Sequence, residues 1–166
     1  MDDPATGWGT LDTDISSISY EGGALRIGIK TETGAAYSER PVLVEYGVLL
    51  VAAQMTPTGS GVMGLLCSAT DDTYYGGGLT TDGGVIFFTI EGGEVDVLHR
   101  DDDAGLEIGD SVGLGLECGG ISTGALRLVL VQQGGGVIDI YQNDEGPEAF
   151  DGVGVYAEAF ELGFAL

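Results

Sequence analysis

Two short runs of aspartate have the composition of a cation site. Asp71 and Asp72 follow one predicted strand, and Asp101 and Asp103 belong to a three-aspartate run after another. Carboxylate oxygens are ligands that Ca²⁺ prefers, and turns can add backbone carbonyls. Neither run is an EF-hand loop, because its required glycine, counted from Asp101, falls on Leu106. We expect either calcium binding at these acidic turns, through Asp71, Asp72, Asp101 and Asp103 with backbone carbonyls, or solvated loops that keep an apolar fold soluble.

Aromatic residues are the second set that could bind a ligand. Six aromatic residues are predicted at or near strand ends or turns, where an exposed ring can stack on a sugar: Trp8, Tyr20, Tyr37, Tyr74, Tyr75 and Tyr141. Adjacent residues of a strand point to opposite faces, so one ring of the Tyr74 and Tyr75 pair should point outward. From this set we take Trp8, Tyr74, Tyr75 and Tyr141 as candidate ligand residues. The alternative is that their rings pack at the edge of the core.

Two patterns that resemble catalytic motifs are incomplete. The segment 109–113 spells G-x-S-x-G, but a predicted strand, not a helix, follows its serine. His99 is the only histidine, which leaves a serine triad or a zinc site short of partners. Glu94-Val95-Asp96 begins the E-x-D-x-E or E-x-D-x-x-E pattern of laminarinase-type glycosidases. The second glutamate of these patterns would fall at position 98 or 99, and these positions hold Leu98 and His99. We therefore assign no catalytic residue.

Charge and hydropathy exclude two classes of partner. The 166 residues carry 27 Asp and Glu against 5 Lys and Arg, a net charge of -22, which repels nucleic-acid phosphates and anionic lipids. No apolar stretch approaches the roughly twenty residues of a membrane-spanning helix. We expect no nucleic-acid partner and no transmembrane segment. The acidity itself is consistent with either a high-salt habitat or cation binding.

Hydrophobic residues alternate with polar or small ones along most of the chain, as in Leu25, Ile27 and Ile29. Glycine-rich turns recur about every ten residues, which is typical of antiparallel sandwiches and barrels. The pattern predicts one all-β domain over residues 1–166, an antiparallel two-sheet β-sandwich. The second half of the Val42–Leu50 strand is apolar on both faces and indicates a central strand. The other predicted strands are Val62–Ser68, Tyr74–Leu79, Val85–Ile90, Glu94–His99, Val112–Cys118, Leu126–Gln132, Val137–Gln142 and Gly152–Ala159.

The two cysteines have matching positions in the sequence. Cys67 and Cys118 each end a predicted strand after a Gly-Leu-x segment. Their spacing alone leaves two alternatives, a disulfide formed in an oxidising compartment or a pair of buried reduced thiols.

Several segments, taken in order, carry a resemblance to a known family. They are residues 3–8, 20–27, 64–67, 71–75, 82–83, 115–118 and 152–157. Together they resemble the concanavalin A-like (laminin G-like) jelly-roll domains of secreted or membrane-anchored prokaryotic proteins. The resemblance implies a jelly roll, a disulfide between Cys67 and Cys118, and an extracellular or cell-surface location with the signal or anchor outside this sequence. Val131-Gln132-Gln133-Gly134 replaces the family's V-N-G hairpin, so no ligand residue is transferred there.

The fold pattern and the incomplete catalytic motifs favour a non-catalytic binding or adhesion module that recognises a glycan or a cell-envelope polymer. One alternative is a glycan hydrolase or lyase of the same fold that acts through Asp and Glu. A second is a structural spacer domain without a small ligand.

Overall fold

The fold is seen in a computed structural model, which describes residues 8–21, 24–41, 49–55, 60–69, 72–102, 104, 112–118, 126–131, 137–143 and 152–159. In these residues all helical or strand structure is β-strand, so the all-β prediction is confirmed. The thirteen strands described are β1 Leu11–Asp12, β2 Ser16–Glu21, β3 Ala24–Ile29, β4 Gly34–Pro41, β5 Leu49–Met55, β6 Gly61–Ser68, β7 Thr73–Thr80, β8 Val85–Glu91, β9 Glu94–Asp101, β10 Val112–Cys118, β11 Leu126–Val131, β12 Val137–Asn143 and β13 Gly152–Ala159.

The strands form three antiparallel sheets arranged in two layers. The first layer is a six-stranded sheet with the order β4-β13-β6-β7-β8-β9. A four-stranded sheet, β12-β11-β10-β5, packs on β6 and β7, and a small sheet, β1-β2-β3, packs on β4 and β13. Ser38 of β4 pairs with Val155 and donates from Oγ to the carbonyl of Gly9 at 3.2 Å, just before β1. Because Val155 packs against the core between the sheets, the small sheet extends the second layer. The predicted antiparallel β-sandwich is therefore confirmed.

The inner face of the six-stranded sheet is the face that meets the four-stranded sheet. Its core is aliphatic, with one phenylalanine and one disulfide. The bond joins Cys67 of β6 to Cys118 of β10, with a Cα–Cα distance of 6.5 Å and both side chains fully buried. The predicted disulfide is confirmed, and it ties the two layers together. The inner core comprises Met63, Leu65, Cys67, Leu79, Val85, Phe87, Leu114, Leu116, Cys118 and Leu128.

The outer face of the same sheet, which points away from the second layer, is also apolar. Its buried residues are Val62, Leu66, Tyr74, Ile86, Phe88, Ile90 and Tyr156. Phe88 and Tyr156 lie on strands separated by β7 and β6, yet their ring centroids are 4.8 Å apart. In a flat sheet those strands would be about 14 Å apart. The side chains therefore converge over the intervening strands, and the outer face is concave.

Glycines make this convergence possible. Gly76 faces outward opposite Phe88, and a Cβ built there would lie 2.3 Å from the Cζ atom of Phe88. A Cβ at Gly78 would lie 2.4 Å from the carbonyl oxygen of Met63, so β6 and β7 also approach closely. The space above these strands is occupied by rings that start on other strands.

Some strands differ from the sequence-based expectation. The strand predicted from Val42 to Leu50 is described from Leu49 and continues to Met55, and residues 42–48 lie outside the described residues. Within the described residues β5 is the last strand of its sheet, so its predicted central position is not seen. It packs on β6, which accounts for an apolar strand at a sheet end. The alternation of apolar residues did not indicate β2 and β4, because serine and alanine occupy most of their buried positions.

Candidate functional site

The structure places the two adjacent candidate tyrosines on opposite faces, as predicted. Tyr75 pairs with Cys67 and packs against the inner core. Tyr74 points to the outer face, but only 8% of it is exposed. The outward ring is therefore part of a packed aromatic cluster rather than a free stacking surface.

The other two candidate aromatics lie elsewhere in the fold. Trp8 is half-buried and precedes Gly9, which contacts Ser38 on the inner side of β4. Tyr141 is on β12, opposite Leu128 in the four-stranded sheet, and its side chain lies outside what the structure describes. The fold thus distributes the four predicted residues over different faces and sheets. Their role as ligand residues stays a prediction.

Tyr37, a member of the wider aromatic set but not one of the four candidates, is the exposed ring beside Tyr74. It lies on β4 and is 40% exposed. The centroids of the Tyr37 and Tyr74 rings are 5.0 Å apart, and the ring planes are inclined by 51°. β13 and β6 separate the two strands, and the outward residues of β13 between them include Gly152 and Gly154. Tyr37 therefore covers one side of the concave face and keeps part of its ring in solvent.

A carboxylate stands beside this pair of rings. Glu39 is exposed and lies two residues after Tyr37, on the same face of β4. Burial raises the pKa of the Tyr74 hydroxyl, and the neighbouring Tyr37 and Glu39 side chains raise it further. Both burial and the neighbouring Glu39 carboxylate therefore disfavour deprotonation of Tyr74.

A second tyrosine and carboxylate repeat this arrangement on β13. Tyr156 pairs directly with Tyr37, and its hydroxyl donates to the Oε2 atom of Glu158 at 2.7 Å. Burial raises the pKa of Tyr156, and the hydrogen bond to Glu158 adds to the shift. Tyr156 also packs on Phe88. We call Tyr37, Glu39, Tyr74, Tyr156 and Glu158 the tyrosine site. It presents one exposed ring between two carboxylates.

The acidic turns are separated by the fold. Asp72 precedes β7 at the end where Thr73 pairs with Glu91, whereas Asp101 pairs with Val85 at the other end of β8. Six residues of strand, roughly 20 Å, lie between these two ends. Asp71 and Asp103 lie outside the described residues. One ion therefore cannot bind both turns, and a calcium site at either turn alone stays a prediction.

Local contacts also bear on a cation role for the second turn. Arg100 donates from Nε to the Oδ1 atom of Asp102, which places a positive group inside the aspartate run. Among the residues that the structure describes, no group of three or more His, Cys, Asp or Glu side chains is arranged to hold a metal ion.

The incomplete glycosidase pattern lies on β9, at the edge of the six-stranded sheet. Glu94 and Asp96 are exposed there. Leu98, at one of the two positions expected for a second glutamate, packs against the inner core. The strand is irregular at this point, since Phe87 pairs with His99 and Phe88 pairs with Val97. The carboxylates of β9 therefore face solvent at an edge, away from the concave centre.

The small sheet carries a separate shallow cavity of about 340 Å³. Lys30, the single lysine, forms an ion pair with Asp12 and donates to the carbonyl of Thr13 at 2.6 Å. Both of these contacts hold the lysine to its own sheet. The cavity is lined by Thr10, Leu11, Asp12, Ser17, Ile18, Ser19 and Lys30.

The fold is similar to a solved structure, described as the CBM2 module of Lactobacillus casei BL23 phage J-1 evolved Dit. The two align over 96% of this chain and 84% of that chain, with a TM-score of 0.58 and 11% sequence identity. At this identity the likeness shows a shared fold. No protein-family model and no curated protein matches the sequence. In the described residues, no helix is long and apolar enough to cross a membrane.

Proposed function

We propose that the protein is a non-catalytic, extracellular carbohydrate-binding module whose ligand stacks on Tyr37 at the tyrosine site. The observation that carries this proposal is the exposed ring of Tyr37, fixed against Tyr74 and placed beside the Glu39 carboxylate. Sugar rings stack on aromatic faces, and carboxylates accept hydrogen bonds from sugar hydroxyls. The printed description of the similar solved structure, a carbohydrate-binding module of a phage protein, supports the same class of ligand.

The concanavalin A-like identity, the jelly-roll winding and the extracellular location belong to this proposal. Two observations support them. The strand orders place β13 between β4 and β6, and β10 beside β5, so the chain passes repeatedly between the layers. The buried disulfide between Cys67 and Cys118 is of the kind that forms and persists in oxidising compartments.

The test is a glycan array combined with a hydrolysis screen on the same polysaccharides. We expect retention of at least one glycan class without cleavage products. Tyr37→Ala should weaken binding about tenfold, because it removes the stacking ring. Val97→Ala is the matched control, since Val97 is 43% exposed on the far edge of the same face.

Other outcomes favour the alternatives. Cleavage that disappears when Glu39 is replaced by glutamine would make the protein a glycan hydrolase or lyase. A wild-type protein that binds no glycan on the array would favour a spacer domain. Binding by Tyr37→Ala that equals that of the wild type and of Val97→Ala would place the ligand away from the tyrosine site.

A further inference from the structure

The electrostatics of the tyrosine site restrict the class of glycan that it can take. Glu39 and Glu158 both lie on the outer face, on either side of the Tyr37 ring along the strand direction. Glu39 is two residues from Tyr37 on β4, and Glu158 is the diagonal neighbour of Tyr37 on β13. The Cα positions of both glutamates are therefore about 7 Å from the Cα position of Tyr37. Any group stacked on Tyr37 is therefore close to two negative charges.

Positive charge does not offset these carboxylates on the described part of the outer face near Tyr37. Arg40 is the neighbour of Glu39 in sequence and therefore points to the opposite face of β4. Arg100 lies at the other edge of the sheet, on β9, and contacts Asp102. The net charge of -22 adds a repulsive background for anions. The site thus repels an anionic sugar, whereas the hydroxyls of an uncharged sugar can donate to both carboxylates.

The geometry of the rings restricts the physical form of the glycan as well. Tyr37 is 40% exposed, whereas Tyr74 and Tyr156 are 8% and 2% exposed. The planes of Tyr37 and Tyr74 are inclined by 51°, so the two rings do not form a flat platform. A flat crystalline polysaccharide needs several coplanar exposed rings, whereas one ring beside a concave face suits a single residue of a soluble chain.

We infer that the tyrosine site selects an uncharged sugar residue in a soluble polysaccharide and discriminates against uronic acids and other anionic sugars. This inference rests on the proposed function, because it takes the tyrosine site as the place where the glycan binds. Glu39 and Glu158 are the specificity-determining residues. Tyr37 supplies the stacking surface, and the buried Tyr74 ring packs against it.

The test uses affinity gel electrophoresis with three neutral polymers: dextran, guar galactomannan and hydroxyethyl cellulose. Each neutral gel is paired with a gel that contains the carboxymethylated form of the same polymer. At low ionic strength we expect binding to at least one neutral polymer to exceed binding to its carboxymethylated form about fivefold to tenfold. This factor is the Coulomb repulsion, in water, between one carboxymethyl group stacked near Tyr37 and two carboxylates, Glu39 and Glu158, each about 7 Å from it. In 1 M NaCl the ratio should approach one, since the screening length is then about 3 Å.

Two Glu→Gln variants show whether the discrimination against anionic polymers comes from carboxylates at the tyrosine site or from the overall charge of the protein. Glu39→Gln should lower the discrimination to roughly threefold, because one of the two repulsive carboxylates is removed. Glu32→Gln changes the net charge equally but lies in the exposed turn before β4, and it should leave the ratio unchanged. Equal effects of the two variants would show that only the overall charge acts, and would overturn the assigned role of Glu39.

Different binding results would overturn the proposed function and the inference about sugar charge. Absence of binding to every neutral polymer, together with an empty glycan array, would overturn the proposed function. Binding to a neutral polymer with equal or tighter binding to its carboxymethylated form would leave the proposed function standing and overturn the inference. Retention on crystalline cellulose or chitin that exceeds retention in the soluble gels would overturn the assignment of a soluble chain.

Discussion

The inner and outer faces of the six-stranded sheet are both buried and apolar, but they are built from different residues. The inner face is aliphatic and is cross-linked to the second layer by a disulfide. The outer face combines aromatic rings with glycines, and the Tyr156 hydroxyl donates to the Glu158 carboxylate at its rim. Inner side chains fill the space between two sheets, whereas outer side chains converge over their own sheet. The inner face therefore holds the layers together, and the outer face forms a concave surface with a polar rim.

This difference predicts different consequences for substitutions on the two faces. Changes on the inner face should alter the free energy of unfolding and leave the ligand surface intact in molecules that remain folded. Changes at the rim of the outer face should alter binding and leave stability nearly unchanged. Substitutions of the glycines and buried tyrosines of the outer face should affect both stability and binding, because these residues support the shape of the concave surface.

The largest expected effect is the loss of the disulfide between the layers. The bond closes a sequence separation of 51 residues, so replacing both Cys67 and Cys118 by alanine should lower the free energy of unfolding by about 4 kcal/mol. Urea denaturation of the variant and of the wild type measures the difference. Wild-type protein treated with a reductant is the control and should show a similar loss. A loss below about 1 kcal/mol would contradict the structural role of the bond.

A smaller effect is expected from a methyl group on the outer face. The Cβ of Gly78→Ala would lie 2.4 Å from the carbonyl oxygen of Met63, a backbone atom that cannot move without shifting β6. We expect a loss of about 1 to 3 kcal/mol in thermal or urea unfolding. Gly28→Ala is the matched control, because its nearest neighbour is the Ser17 hydroxyl at 3.0 Å, which can rotate away. Equal losses in the two variants would show that close approach of β6 and β7 is not the cause.

Alkaline pH should destabilise the outer face through its buried tyrosines. Tyr74 and Tyr156 have pKa values raised by burial, so the folded state keeps protons that the unfolded chain releases above about pH 10. The free energy of unfolding should therefore fall as pH rises beyond that value. Tyr156→Phe should make the fall shallower, whereas Tyr20→Phe, on the small sheet, should not. A stability that stays constant up to about pH 11.5 would contradict the burial of these hydroxyls.

The smallest expected effect on stability is that of Tyr37→Ala. Its ring is 40% exposed and contacts Tyr74 from one side, so the free energy of unfolding should change by less than about 1 kcal/mol. Calorimetric melting curves check this expectation. A large loss of stability would mean that Tyr37 is part of the core, and its effect on binding would then be indirect.

The sequence was sufficient for the fold class and for most strands. Apolar runs bounded by glycine-rich turns marked strands of the six-stranded sheet such as β6 and β8, and the matching contexts of Cys67 and Cys118 led to the disulfide once the resemblance was considered. β4 was missed because its buried positions are Ala36 and Ser38, which carry almost no hydrophobic signal. Small residues suffice there because the small sheet packs on β4.

The candidate site was predicted only in part. Strand alternation placed Tyr74 and Tyr75 on opposite faces, but it gave no information on which face is concave. Tyr37 was left out of the four candidates and Glu39 was not named, because Tyr37 reaches Tyr74 only through sheet curvature and the order β4-β13-β6-β7. These are long-range properties, and no local pattern in the sequence encodes them. Tyrosine and glutamate two residues apart, as in β4 and β13, are a signal that could have pointed to both strands.

The most direct test of the account is a nuclear magnetic resonance titration of the labelled protein with the neutral polymer that binds best in the gels, used as an oligosaccharide. We expect backbone amide shifts to concentrate on β4 around Tyr37 and Glu39, on the paired residues of β13, and near Tyr74. Tyr37→Ala should abolish most of these shifts at the same ligand concentration. Shifts that concentrate instead on the small sheet around Lys30, or on the four-stranded sheet, would contradict the assignment of the tyrosine site as the place where the glycan binds.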